Sequence, residues 1–90
     1  MATIKDLIKA NLVTAGTELI WKRTKAKQTY TALINSNGTI SISDGTIHKT
    51  PSGAAKHLNS NKPVDGWNAW KVKKTGQTLS ELRKNLVSPN

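Results

Sequence analysis

Gln28-Thr29-Tyr30-Thr31-Ala32-Leu33-Ile34-Asn35-Ser36-Asn37-Gly38-Thr39-Ile40-Ser41-Ile42-Ser43-Asp44-Gly45-Thr46-Ile47-His48 is the stretch on which the fold turns. Tyr30, Ala32 and Ile34 recur at every second position, and Ile40 and Ile42 do the same in the next run. Period two places each set on one face of a pleated strand. Asn37-Gly38 and Asp44-Gly45 separate the runs, and both dipeptides accept the positive φ of two-residue type I′ turns. A slip of one residue would put Ile40 and Ile42 in water, so the register is well determined. Upstream, Thr17-Glu18-Leu19-Ile20-Trp21-Lys22-Arg23 is rich in residues that suit a pleated surface, and Lys25-Ala26-Lys27 is a polar break. Residues 17–49 together predict an antiparallel meander of four strands.

Outside this stretch the period changes. Ile4, Leu7 and Ile8 share one helical face that Leu12 continues, with Thr3 as cap, Asp6 in the first turn and Ala15-Gly16 as the stop. Thr50 suits an N-cap and Pro51 a first helical position, which predicts a second helix to Leu58. Its Gly53, Ala54 and Ala55 form a face with almost no side chain, open to close approach. After a polar loop, Asp65-Gly66 turns the chain into Trp67–Lys74, whose second half alternates as a strand. Thr78-Leu79-Ser80-Glu81 is a capping box, and Leu79, Leu82 and Leu86 give a last helix ending before Pro89. The expected architecture is α+β, an antiparallel β-meander packed with about three short helices in the order α-β-β-β-β-α-β-α. It forms one domain over 1–90, with a core from about residue 3 to 87.

The 90 residues carry 14 Lys and Arg against 5 Asp and Glu, a net charge of +9. A pI near 10.2 suits a polyanionic partner, and nucleic-acid backbones are the commonest. A chain this size buries roughly 9,000 Å² on folding, enough for one small core and no enclosed cofactor cavity. With no Cys there is no disulfide framework, zinc finger or thiol nucleophile, and a reducing, cytoplasmic setting is expected. No apolar run is long enough to cross a bilayer, and Asp6 and the short apolar content of the N-terminus do not suit a signal peptide. Asn37-Gly38-Thr39 is formally a glycosylation sequon, but the hairpin reading takes precedence.

Residues for covalent or metal chemistry are scattered. His48 and His57 have no neighbour at ligand spacing, and Asp6, Asp44 and Glu81 sit at helix starts and a turn. Pro63-Val64-Asp65 lacks the Glu-x-Lys partner of a nuclease metal motif, and there is no Gly-rich phosphate loop. No catalysis, metal or cofactor is expected. The binding candidates are Lys22, Arg23, Lys49, Lys56, Lys71, Lys73 and Lys74 for phosphates, and Ser52 with the helix N-terminus behind it as a phosphate seat. Trp67 and Asn68 are candidates for a pocket beside a base, since aromatic rings stack on bases and Asn pairs with adenine edges. Trp21 and Trp70 are assigned to the core.

Thr50-Pro51-Ser52-Gly53-Ala54-Ala55, followed by Asp65-Gly66-Trp67-Asn68-Ala69-Trp70, resembles the RAMA domain, the restriction enzyme adenine methylase associated domain. That family's pattern runs [S/T]-P-S-x-A-A and then N-G-W-x-x-W. Leu12–Leu19 is similar to its helix-to-strand entry, Asn37-Gly38-Thr39-Ile40 to its D-G-x-I hairpin, and Leu79–Arg83 to its closing helix. Ala15 stands where the pattern has Pro, and Asp65 where it has Asn. The resemblance implies an α+β module attached to adenine methyltransferases and endonucleases, without catalysis of its own. It implies recognition of double-stranded DNA, methylated or otherwise modified bases included. The alternative is a protein-assembly module that docks a partner on the Ala54-Ala55 face or the Trp67 edge. The sequence leaves open whether the chain is an excised domain or a small separate protein.

Overall fold

A computed structural model describes residues 2–86. The elements run α1 (Ile4–Lys9), β1 (Glu18–Arg23), β2 (Gln28–Ile34), β3 (Ile40–Ile42), β4 (Ile47–His48), α2 (Pro51–Leu58), α3 (Gly66–Ala69), β5 (Lys71–Val72) and α4 (Leu79–Lys84). The strands form one antiparallel sheet in the order β4-β3-β2-β1-β5. This is the expected α+β class and element order, with four short helices.

In the β2–β3 hairpin Ile40 and Ile42 are buried as expected, with Ala32 opposite Ile42 and Ile34 opposite Ile40. The β2–β3 and β3–β4 turns are not of the two-residue type I′. Positive φ falls only on Gly38 (+87°) and Gly45 (+91°), not on Asn37 or Asp44. Gly38 N–H donates to Asn35 O at 2.9 Å and Asn35 N–H to Thr39 O at 2.9 Å, a three-residue loop closed by a glycine bulge. Gly45 N–H to Ile42 O and Ile42 N–H to Thr46 O repeat it. The carboxamide of Asn37 and the carboxylate of Asp44 accept the backbone N–H two residues on, which holds each in a turn conformation with negative φ.

The first helix stops at Lys9, earlier than the apolar stripe suggests. Asn11 takes the left-handed conformation (φ +59°), so Asn11 N–H returns to Ile8 O and Leu12 N–H to Leu7 O. That is a Schellman ending, and Leu12 packs on the core from beyond the helix. α2 ends in the same way, with Ser60 left-handed and Asn61 N–H donating to Lys56 O. The capping boxes at Thr3/Asp6 and Thr78/Glu81 and the Thr50 cap are all formed. α4 ends at Lys84, and the stop assigned to Pro89 lies outside the described residues. Asp65-Gly66-Trp67-Asn68-Ala69, expected as a turn, closes into one helical turn because the Asp65 carboxylate accepts Trp67 N–H at 3.1 Å.

Leu19, Ala32, Ile34, Ile40, Ile42 and Val72 share one sheet face and are buried with Ile4, Leu7, Ala54, Trp70, Leu79 and Leu82. All four helices lie over this face. The opposite face carries Glu18, Ile20, Lys22, Thr31, Leu33, Ser41, Ile47 and Lys71 by register. It has no cover among the described residues: Leu33 is 46% and Ile47 64% exposed.

Candidate nucleic-acid interface

Alternation along β1 sends Lys22 to the open sheet face and Arg23 to the helical face. Lys71 lies opposite Ile20 and so joins Lys22. Lys73 stands on the same side, with its Nζ 3.4 Å from Glu18 Oε2. Where β5 ends, these groups border a cleft of about 610 Å³ lined by Ile20, Trp21, Lys22, Asn68, Lys71 and Lys73. Trp21 is half-buried, tilted against Tyr30 (centroids 5.7 Å apart) and meeting Trp70 edge-on at 5.8 Å. The Arg23 guanidinium lies 5.0 Å from the Trp21 ring centre. Asn68 donates its amide to Asp65 Oδ2 at 2.6 Å, which fixes its orientation at the cleft rim.

Trp67, one residue away, faces elsewhere. It lines a second hollow of about 360 Å³ with Lys5, Gly38, Lys49, Thr50 and Pro51. The Arg83 guanidinium covers its ring at 4.4 Å. The fold therefore separates the expected pair: Asn68 shares a cleft with Trp21, and Trp67 shares one with Lys49. Lys56 is exposed in the last turn of α2, and Lys74 follows Lys73 into the turn after β5, away from both hollows. The cations do not form one platform around Trp67.

Ser52 does not face an open phosphate seat. Its Oγ accepts Gly66 N–H at 3.0 Å, and Thr50 Oγ1 takes Gly53 N–H at 2.9 Å. α3 covers the α2 N-terminus so closely that a Cβ on Gly66 would lie 2.1 Å from Pro51 O and 2.4 Å from Ser52 N. Trp70, fully buried, donates its Nε1–H to the same Pro51 carbonyl at 3.2 Å. The two halves of the sequence signature thus lock to each other. Ala54 and Ala55 are fully buried, so the face set aside for a partner packs inside the protein itself.

The concentration of charge is clearer in three dimensions than along the chain. The β1–β2 hairpin and the β5 segment with its following turn carry Lys22, Arg23, Lys25, Lys27, Lys71, Lys73 and Lys74 against Glu18 alone. Seven cations and one carboxylate leave six of the nine net charges here. Asp6, Asp65 and Glu81 are tied to helix starts, and Asp44 to the β3–β4 turn. Lys25 and Lys27 are not among the site residues picked from the sequence. Their signal is the register, which shows how far the hairpin runs past its neighbours.

The topology also assembles a cluster that spacing alone does not reveal. His57 Nε2 is 2.8 Å from Asp44 Oδ2, and the His48 ring lies 4.8 Å from that of His57. The Thr46 hydroxyl bonds both Asp44 Oδ1 and His48 Nε2. The Thr46 hydroxyl, its backbone N–H and then His57 hold the Asp44 carboxyl at about 2, while burial, and then the nearby His57, push His48 down. Among the described residues no group of three or more His, Asp or Glu is placed to hold a metal ion. No described helix is long and apolar enough to cross a membrane.

Fold and charge together define a small, strongly basic, two-layer α+β domain with one sheet face uncovered among the described residues. The sequence matches the model of the RAMA family, Restriction Enzyme Adenine Methylase Associated, over residues 1–90, and the chain belongs to that family. Its general context is therefore restriction-modification. No curated relative matches the sequence significantly.

Proposed function

We propose that this chain is a non-catalytic DNA-binding module of a restriction-modification protein that helps its methyltransferase or nuclease partner recognise duplex DNA, modified bases included. The observation that carries the reading is the concentration of six net positive charges on the β1–β2 hairpin and the β5 segment, three of whose lysines, Lys22, Lys71 and Lys73, border one cleft. Lys22, Lys71 and Lys73 neutralise phosphates there, and Lys74 does so from the turn that follows β5, as cationic groups do on any duplex. Asn68 and Trp21 offer a base an amide edge and an apolar wall. An Asn accepts from adenine N6–H and donates to N7, and N6-methylation replaces one of the two N6 hydrogens with a methyl group, so recognition of that mark needs an apolar wall beside the amide.

The test is binding to matched duplexes at 50 and 200 mM salt: unmodified, adenine N6-methylated, cytosine-methylated and cytosine-hydroxymethylated. If about six phosphates are neutralised, affinity falls roughly a thousandfold between the two salts. Salt-independent affinity, or none for any duplex, overturns the reading. Equal affinity for all four duplexes removes modified-base recognition and leaves DNA binding. A protein-assembly role is the second reading, favoured by exposed Leu33 and Ile47; a partner complex that survives high salt and is lost on Leu33→Lys supports it.

A further inference from the structure

We infer that the outer half of the β1–β2 hairpin enters the major groove of duplex DNA as a free two-stranded ribbon. The inference rests on the DNA-binding reading and names the element and groove that serve it. β3 pairs with β2 only from Ala32 to Ile34, and β5 pairs with β1 only at Leu19 and Ile20. Beyond the Trp21–Tyr30 pair, neither strand has a second neighbouring strand among the described residues, yet the two remain paired through Lys22–Thr29 and Arg23–Gln28. Trp21 and Tyr30 anchor the base of this ribbon on each other and, through Trp21, on buried Trp70.

From that anchor the ribbon runs two residue pairs, about 7 Å at the rise of a strand, and the turn of residues 24–27 carries its tip further out. The major groove is about 8.5 Å deep and 12 Å wide and admits a two-stranded β-ribbon. Residues 22–29 are exposed apart from half-buried Arg23 and contain no acid. Their charges point in three directions: Lys22 on one face, Arg23 on the other, Lys25 and Lys27 at the tip. A flat surface would use one face only. A groove walled by two phosphate backbones engages both, with the tip between them. Thr24, Gln28 and Thr29 add neutral polar groups where base edges would lie, and Ala26 is the single apolar side chain in the turn. An acidic peptide or a membrane would not require that two-sided arrangement.

The experiment compares the whole chain with Lys25→Ala/Lys27→Asn by fluorescence anisotropy on a 20-base-pair duplex. Asn is chosen because Lys27 has φ +52°, which Asn tolerates. Lys9→Ala/Lys62→Ala removes the same charge from the helical layer. The tip variant is expected to bind roughly 30-fold more weakly at 0.15 M salt, with a salt slope lower by about 1.8, and the control within about threefold of wild type. Urea midpoints of both variants report that the fold is intact. A duplex whose major groove is filled by glucosylated hydroxymethylcytosine is expected to lose affinity, while a minor-groove ligand does not compete. Tip variants that bind like wild type, or displacement by the minor-groove ligand, overturn the inference and leave DNA binding standing. A wild-type chain without duplex affinity overturns the DNA-binding reading itself.

Discussion

Gly66 is the residue on which the helical layer depends most sharply. It lets α3 rest on the start of α2, and a methyl group there would overlap backbone atoms of Pro51 and Ser52 at 2.1–2.4 Å. Backbone cannot swing aside as a flexible side chain would. Gly66→Ala is therefore expected to cost about 3 kcal/mol or more, measured as a loss in urea-unfolding free energy. A cost below about 1 kcal/mol would mean that α2 and α3 are not in this contact. Ser52 and Trp70 belong to the same joint, through Gly66 N–H and Pro51 O. The Thr-Pro-Ser and Gly-Trp-x-x-Trp pieces are thus explained first by packing, and Trp67 and Asn68 are the members left lining surface hollows.

Between elements, the β3–β4 turn and the end of α2 are coupled by Asp44 and His57, thirteen residues apart. The folded-state pKa of Asp44, about 2, lies below its ordinary value of 3.8. A carboxylate depressed in this way contributes stability that is present above about pH 4 and is lost as pH falls through about 2. Urea midpoints measured from pH 5 to pH 2 should fall for wild type and fall less for Asp44→Asn. Asp6 and Glu81, lowered by their bonds to Thr3 and Thr78, account for what acid sensitivity remains. Identical profiles for the two proteins would rule the turn out as an acid-sensitive joint. The β1–β2 hairpin differs from this turn: no described helix ties down its tip, and Lys25 and Lys27 are exposed there.

Across the whole molecule, one sheet face makes the core and the other meets solvent. Leu19, in a central strand, is fully buried, while Leu33 on the adjacent strand is 46% exposed. Leu19→Ala should cost about 2–5 kcal/mol, and Leu33→Ala less than about 1 kcal/mol, by chemical denaturation of each. Equal costs would mean that something covers the open face. The alternating Ile, Ala and Tyr positions, the Thr3 cap with Asp6 in the first turn, the Thr-x-x-Glu box and the Thr50-Pro51 start were legible because each is a short-range pattern that one element satisfies by itself. The helix ends at Asn11 and Ser60 were not, since a left-handed Asn or Ser is set by the hydrogen bonds it completes. Of the candidate site, Lys22, Lys71, Lys73 and Asn68 meet at one cleft, because β5 pairs back onto β1 across about fifty residues of chain. The parting of Trp67 from Asn68, the burial of Ala54 and Ala55, the assembly of Asp44, His48 and His57, and the free outer hairpin all depend on which surfaces meet. Local spacing determined the elements, their order and the excess of positive charge, since these are properties of neighbours along the chain. Only the tertiary structure decided where that charge gathers, because strand registers and helix contacts join residues whose separation in sequence carries no trace of their distance in space.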